Sequence, residues 1–564
     1  MDYFIGIDVG TQSVRAGLFN ENGVMINSAS KPIKTWNPLP DHYEQSSDEI
    51  WSSCCDVVKI IITGFPEVNR IKGVGFDATC SLVVLDESCK PLGVGTSGKI
   101  GRGTVEIILL RITATVLNLL GNPAQNIILW MDHRAKNQAE RINKTGHDCL
   151  KFVGGIVSPE MEIPKLLWLK ENLTSCWTSA GHFFDLPDFL TWRATGNFSR
   201  SLCSLVCKWL YQANSESQGW PVDFLKLINL DDLTENDFKK IGNKVQVPGE
   251  PCGNGLTFEA ARELGLLPGT PVATSIIDAH AGGIGLLGCL QTQREFDSLT
   301  SRMAVICGTS TCHMTSTKDV EFVSGIWGPY YSAMVPGMWL LEAGQSAAGV
   351  LIDHIINTHP AKEALNHLCI KENRHIQAIL NSKLEALTGN LSSAAELVSD
   401  LHILPDFHGN RSPLADSTLK GMICGLTLSS NEEDLLRKYL ATVQALSYGT
   451  RHIIDSLKKK NILIKTLLMC GGLAKNPLYV QMHADITGLP VILPKESESV
   501  LLGGAILAAR ASKKYSSVPL AMNVMCGGGT IISPNLKYKS LHDKKYQVFL
   551  ELLCFQKRIQ NIMK

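Results

Sequence analysis

The chain has 564 residues, 45% hydrophobic and 19% charged, with 53 Lys and Arg balancing 53 Asp and Glu. That length is too great for one hydrophobic core, so two large domains are the default. The even charge leaves no field for nucleic acid or a membrane surface, and the expected partner is a small molecule.

From the N-terminus, Tyr3–Val9, Val14–Phe19 and Gly23–Ser28 read as a β-meander, with Asn20-Glu-Asn-Gly23 as its turn. No basic stretch of a signal peptide precedes Tyr3. A helix is expected from Ser47 through Ile61, capped by Ser46 or Ser47. Gly73–Phe76 reads as a strand that ends at Asp77-Ala-Thr-Cys-Ser81, with Leu82–Asp86 as its hairpin partner. Gly93-Val-Gly-Thr-Ser-Gly-Lys-Ile100 comes close to GxGxxG and to the P-loop pattern. Ile100 stands where the P-loop needs a hydroxyl, however, and the flanks are not strand and helix, so a Gly-rich surface loop is expected. Ile107–Leu120 is interrupted by Arg111 and Asn118 and is too short to span a bilayer. Residues 150–270 are richer in helix. A break near 287–300 separates the halves, and strand Met303–Cys307 opens the second. A polar tail follows Ser512 and leads to an amphipathic helix over Tyr546–Met563. The seventeen cysteines are scattered without CxxC pairs, which indicates neither a zinc site nor a disulfide framework and fits reduced thiols in the cytosol.

Two short turns carry most of the chemistry. Gly6-Ile-Asp-Val-Gly-Thr-Gln-Ser-Val-Arg15 and Val305-Ile-Cys-Gly-Thr-Ser-Thr311 are each an apolar strand ending in Gly-Thr with a hydroxyl close behind. Such a turn lets backbone N–H groups and hydroxyls approach a phosphate. Two of them, about 300 residues apart, suggest two halves closing on one nucleotide. Asp8 would serve at Mg²⁺, which takes one or two carboxylates along with waters and phosphate oxygens. Asp278, in Thr274-Ser-Ile-Ile-Asp-Ala-His-Ala-Gly-Gly283, is either a helix cap or the carboxylate that accepts a hydroxyl proton during phosphoryl transfer. His280 and His313 read as packed or hydrogen-bonded rather than as metal ligands. Gly471 and Gly472 allow close approach to a flat ring or ribose, and Asn476-Pro477 starts the next helix. Glu342-Ala-Gly-Gln-Ser346 suits a polyol.

Taken together, these stretches resemble the FGGY family of carbohydrate kinases. Gly471-Gly-Leu-Ala-Lys-Asn-Pro-Leu-Tyr-Val-Gln-Met-His-Ala-Asp-Ile-Thr-Gly488 is similar to the family's C-terminal signature, and Lys165–Asn172 to part of its N-terminal one. Arg200–Lys208, Glu342–Gly349 and Gly409–Asp416 resemble the ribulokinase branch. The resemblance implies an α/β fold of two actin/Hsp70-like (ribonuclease H-like) domains with an interdomain cleft. It would place the N-terminal domain at 1–288, the C-terminal domain at 300–512 and a tail with a terminal helix at 513–564. Between Pro91 and Trp130 the chain is longer than the family pattern, so segment 93–124 is an insertion or an alternatively included exon.

The implied activity is ATP- and Mg²⁺-dependent phosphorylation of a ketopentose, D-ribulose at O5. L-ribulose, another pentulose or polyol, and a nucleotide-dependent binding protein of the same fold stay open as alternatives. Asp278 is the implied base, with Asp8 and Asp278 at the metal. Asp8, Gly10, Thr11, Ser13, Arg15, Gly308, Thr309, Ser310, Gly471, Gly472 and Asn476 would hold the nucleotide. Asp77, Ala78, Lys208, Asp278 and Glu342 would hold the sugar. The implied setting is cytoplasmic, with a small-molecule sugar as partner, a homodimer open, and neither nucleic acid nor membrane.

Overall fold

The computed structural model describes residues 1–95, 122, 124–289 and 296–563. The Gly-rich stretch from Thr96 onward, and with it most of segment 93–124, lies outside the described residues. Two mixed sheets organise the chain. The first contains β1 (Tyr3–Val9), β2 (Ser13–Asn20), β3 (Met25–Pro32), β4 (Ile71–Ala78) and β5 (Ile276–Ile277), in the order β5-β4-β1-β2-β3. β1 is antiparallel to β2 and parallel to β4. All seven residues of β1 are buried, so it reads as a continuous apolar run rather than an alternating one, as a strand covered on both faces should. Helix α1 (Ser47–Ile62) starts where Ser46 Oγ accepts the Glu49 N–H at 3.3 Å. It buries Ile50, Trp51, Val57, Val58 and Ile61 and packs on β2 and β3.

Helix α2 (Leu202–Lys208) and helix α3 (Asp278–Leu287) complete the part of the first half that reaches the cleft. The second sheet holds β6 (Arg302–Cys307), β7 (Thr311–Thr317), β8 (Trp327–Tyr331), β9 (Trp339–Gln345), β10 (Thr466–Cys470), β11 (Val491–Pro494) and β12 (Gly529–Ile532). Its order is β8-β9-β7-β6-β10-β11-β12. β6 is antiparallel to β7 and parallel to β10, the relation that β1 bears to β2 and β4. The two Gly-Thr turns, β1–β2 and β6–β7, therefore occupy equivalent places in a duplicated α/β architecture.

Helix α4 (Pro477–Thr487) follows β10, and helix α5 (Ser499–Ala511) follows β11. α3 leaves β5 of the first sheet yet packs on β6 and β10 of the second, while α5 packs on β1, β2 and β4 of the first. The two helices meet backbone to backbone. A Cβ on Gly503 would sit 2.0 Å from the Ala281 carbonyl oxygen, and one on Gly285 would sit 2.0 Å from that of Ser499. Only glycine allows this approach, and the helix that begins with Asp278 is seated by it.

Three local expectations change. The third strand is Met25–Pro32 rather than Gly23–Ser28, because Asn20 Oδ1 accepts the Asn22 and Val24 N–H groups at 2.9 and 3.0 Å and closes the turn later. Leu82–Asp86 is not the hairpin partner of the strand before it. It lies in a separate four-stranded sheet, antiparallel to Ile127–Ile128 and Ala180–Asp185. The connecting turn is buried rather than solvated, with the Thr79 N–H on the Val9 carbonyl at 3.0 Å and the Ser81 N–H on Asp185 Oδ1 at 3.1 Å. These bonds carry the chain from one sheet to the next. The terminal helix expected over Tyr546–Met563 is present but starts earlier, and the polar segment between Ser512 and it is structured. That segment supplies helix Val518–Met525 and the edge strand β12, and the terminal helix, Lys539–Met563, buries Tyr546, Phe549, Leu552 and Leu553. Its apolar residues are spaced one per turn, which is the amphipathic pattern expected. Among the described residues no helix is long and apolar enough to cross a membrane.

Candidate active site

Three carboxylates gather at the carboxyl ends of adjacent parallel strands. Asp8 and Asp77 are register partners across β1 and β4, and Ile276 of β5 is the partner of Asp77 on its other side. Asp278 follows two residues later as the first residue of α3. Ile277, not Asp278, takes the cap position, and among the described residues the hydrogen bond to the Asp278 carboxylate is from its neighbour, Ala279 N–H to Oδ1 at 2.7 Å. The structure thus decides against the cap reading. Removal from water, then the Asp8 charge, pushes the Asp278 pKa up to about 6. Asp77 is fully buried and is held well above the ordinary carboxylate range by burial, then by Asp8. No hydrogen-bond donor among the described residues reaches either of its oxygens. Asp8 is paired with Arg15, whose Nε lies 2.8 Å from Oδ2, and Arg15 Nη1 also reaches Glu498 Oε2 at 2.7 Å. Arg15 so ties the first turn to the start of α5.

The two Gly-Thr turns bracket this cluster. In the first, the Gly10 N–H donates to the Ser13 carbonyl at 3.0 Å, and Thr11 Oγ1 accepts from Trp130 Nε1 at 2.9 Å. In the second, the Gly308 N–H donates to the Ser310 carbonyl at 2.9 Å, and Gly308 and Thr309 are exposed. Gly471 lies beside it at φ +94°, where a Cβ would meet the Cys307 carbonyl oxygen at 2.4 Å. The turn at the end of β10 is therefore pressed against the turn at the end of β6. Gly472 next to it has open space in front. Asn476 is buried and caps α4, with Oδ1 accepting the Leu478 N–H at 3.0 Å and Nδ2 donating to Gln377 and Tyr439 at 2.9 and 2.8 Å. What it offers a nucleotide is the placement of that turn.

A second polar group lies where α2, β8 and β9 converge. Glu342 of β9 is the register partner of Trp327 of β8. Its Oε1 accepts from Arg411 Nη2 at 2.5 Å, and its Oε2 lies 3.1 Å from His280 Nε2. Although burial opposes it, the His280 bond with the Lys208 and Arg411 charges holds Glu342 well below the usual carboxylate range. Lys208, at the end of α2, places Nζ 4.6 Å from the Trp327 ring centroid, and the Arg411 guanidinium lies 4.5 Å from the same centroid. Against the cost of burial, the Cys80 and Glu342 neighbours raise the Lys208 pKa. His280 is likewise raised to about 10, against burial, by Cys203 and Glu342. Donors, an acceptor and an indole face brought together are the means of holding a polyhydroxylated ligand.

Sequence reasoning named Asp8, Asp77, Asp278, Lys208 and Glu342, and the structure brings them into two adjoining groups. Ala78 ends β4, buried, as the register partner of Val9 and Ile277. His280 and His313 are buried and hydrogen-bonded, His313 Nε2 to Thr450 Oγ1 at 2.9 Å. Arg411, Trp327 and Glu160 were missed. Arg411 sat unweighed inside Gly409–Asp416. Glu160, 3.5 Å from His133, has its pKa lowered, against burial, by His133, Arg411 and Lys208. Trp327 has no local signal at all. Asp132 and Arg134 form a fully buried ion cluster with Glu44, Arg134 Nη2 lying 2.7 Å from Asp132 and 2.9 Å from Glu44, so these charges are satisfied within the fold.

Comparison with known proteins shows the family and the fold. The model of the FGGY family of carbohydrate kinases matches residues 303–512 with its C-terminal domain, and residues 3–107 and 105–285 with its N-terminal domain. The N-terminal match is interrupted inside segment 93–124. The FGGY carbohydrate kinase domain-containing protein of Homo sapiens is 52% identical over all of this chain and 98% of its own. A D-ribulokinase of Saccharomyces cerevisiae is 38% identical over 91% of this chain and 72% of its own. A ligand-bound xylulose kinase from Lactobacillus acidophilus superposes with a TM-score of 0.75 at 18% identity, covering 98% of each chain, which establishes the fold.

Proposed function

Because the chain belongs to the FGGY family of carbohydrate kinases and is a sugar-phosphorylating transferase of two actin-like α/β domains, we propose that its reaction is transfer of the γ-phosphoryl group of ATP to O5 of D-ribulose. The observation that carries this reading is the position of Asp278. It follows the strand that pairs with Asp77, beside Asp8 and within reach of the Lys208 and His280 charges, with a pKa of about 6. A base there is largely ionised at neutral pH and still basic enough to take a hydroxyl proton. The sugar hydroxyl oxygen forms a bond to the γ-phosphorus as the bond to the ADP oxygen breaks, and the hydroxyl proton passes to Asp278. The Gly10-Thr11 and Gly308-Thr309 turns would hold the phosphates, with the Gly10 and Gly308 N–H groups closing each turn on the Ser13 and Ser310 carbonyls. Asp8, Asp77 and Asp278 offer an all-oxygen set with donor-free oxygens on Asp77, the kind Mg²⁺ takes; bound there, it would offset the phosphate charge.

The choice of D-ribulose rests on the yeast relative's name and on the charge pattern of the pocket. A sugar hydroxyl moved away from Lys208, Arg411 or Glu342 loses the bond to that one group, at about 1–3 kcal/mol. An epimer should lose about one to two orders of magnitude in kcat/KM. A coupled ADP-release assay over D-ribulose, L-ribulose, D-xylulose, ribitol and glycerol tests this. D-ribulose should lead and glycerol trail far behind. Equal or better turnover of glycerol or D-xylulose would refute the substrate while leaving the family intact.

A further inference from the structure

Behind the sugar group lies a cluster that phosphoryl transfer does not use. Cys203 and Cys207 are four residues apart on α2, so their side chains share one face of the helix. Both are fully buried. His280 of α3 brings Nδ1 to 3.0 Å from Cys203 Sγ, and the two sulfurs and a ring nitrogen of His280 all lie within 4.8 Å of one another. Among the described residues no other cysteines and histidines gather this tightly in a group of three or more.

Two uses of paired cysteines can be separated by geometry. A disulfide needs Cβ atoms about 3.8 Å apart, whereas residues one helical turn apart hold theirs about 5–6 Å apart. Bridging Cys203 to Cys207 would therefore unwind the end of α2 and displace Lys208. A tetrahedral thiolate–imidazole centre, with Zn–S of about 2.3 Å and Zn–N of about 2.0–2.1 Å, asks for donor atoms about 3.5–3.8 Å apart. Here the three donor atoms lie within 4.8 Å of one another, with Cys203 Sγ and His280 Nδ1 3.0 Å apart. The second ring nitrogen supplies an independent sign. His280 Nε2 lies 3.1 Å from Glu342 Oε2, and a metal-bound histidine almost always donates its other N–H to a carboxylate or carbonyl that fixes the ring.

We propose that Cys203, Cys207 and the Nδ1 of His280 form a binding site for a soft divalent cation of the zinc class, with Glu342 holding the imidazole in place. On binding, each thiol releases its proton to solvent and the two thiolates balance the ion's charge. Glu342 is then shared between this site and the sugar group, so an ion here would fix the carboxylate that faces Arg411. The site stands on its own geometry and does not depend on which sugar is phosphorylated.

Zn²⁺ titrated into the reduced, chelator-stripped full chain against a chromophoric competitor tests the proposal. One equivalent should bind with submicromolar affinity. Cys203→Ser and Cys207→Ser should each weaken it more than about 100-fold, beyond the ~10–100-fold expected of Glu342→Gln as a supporting carboxylate. Cys54→Ser, a buried thiol elsewhere, should leave it unchanged. Anomalous scattering at the zinc edge from a Zn²⁺-loaded wild-type crystal needs no variant and should place the ion among these three side chains. Absence of a submicromolar equivalent, binding that survives both cysteine changes, or an ion located elsewhere overturns the site.

Discussion

Replacing Glu342 by Gln keeps the shape of the side chain and removes its charge. In the native site one oxygen accepts from Arg411 at 2.5 Å and the other faces His280 at 3.1 Å, with the Lys208 charge close by. Glutamine has one acceptor oxygen and one donor nitrogen. If the oxygen stays on Arg411, the amide faces His280, which can accept it by giving up its Nε2 proton. The fold should survive on that exchange, while two cations lose their counter-charge. Breaking a buried ion pair costs about 3–5 kcal/mol, but the Arg411 side chain is 21% exposed, so about 2–3 kcal/mol is the better figure. That is a cost to stability; the loss of a charged hydrogen bond to the sugar, about 1.5–3 kcal/mol, corresponds separately to a fall of about 10- to 150-fold in kcat/KM. Initial rates with sugar and ATP varied independently, alongside a urea melt of the variant, provide the check. The KM for ATP should stay within about threefold of wild type. A folded variant with an unchanged sugar KM, or one whose loss falls on ATP instead, would refute the assignment of Glu342 to the sugar.

Two further outcomes follow from the geometry. Since Asp278 must be ionised to act, kcat/KM should rise about tenfold per pH unit below its pKa of about 6 and level off above it; a profile flat down to pH 4.5, where an unperturbed Asp would still be ionised, would contradict the shift. Gly503→Ala forces a Cβ against the Ala281 carbonyl at 2.0 Å, so it should destabilise the protein by about 1–3 kcal/mol and lower kcat by displacing α3. A thermal melt and turnover equal to wild type would show that the helices can part without cost.

Much of this was readable in the chain because it is encoded locally. β1 and α1 announce themselves by apolar period and by the Ser46 cap, and the Gly-Thr turns follow directly on their strands. Asp77 and Asp278 were each found beside a strand end, yet nothing local says that β1, β4 and β5 lie side by side. That adjacency makes one cluster of three carboxylates. The hairpin expected at Leu82–Asp86 failed because the Thr79 and Ser81 bonds to Val9 and Asp185 are long-range. The terminal helix was legible from its apolar spacing over Tyr546–Met563, but its start at Lys539 and the strand β12 before it were not. Trp327 and Arg411 meet only through the register of β8 with β9 and a loop some seventy residues further on. Cys203 and His280 are likewise joined only by the packing of α2 against the cleft.

The most direct test of the account is a single-turnover measurement on Asp278→Asn with ATP and D-ribulose. The change keeps size and hydrogen-bonding reach but removes the base, so binding of both substrates, read by calorimetry, should stay within a few-fold. The rate of ribulose 5-phosphate formation, followed by rapid quench, should fall by about 10²–10⁴, the usual worth of a positioned general base. A variant that binds both ligands and still forms product at more than about a tenth of the wild-type rate would mean that Asp278 is not the base, and the proposed mechanism would fall with it.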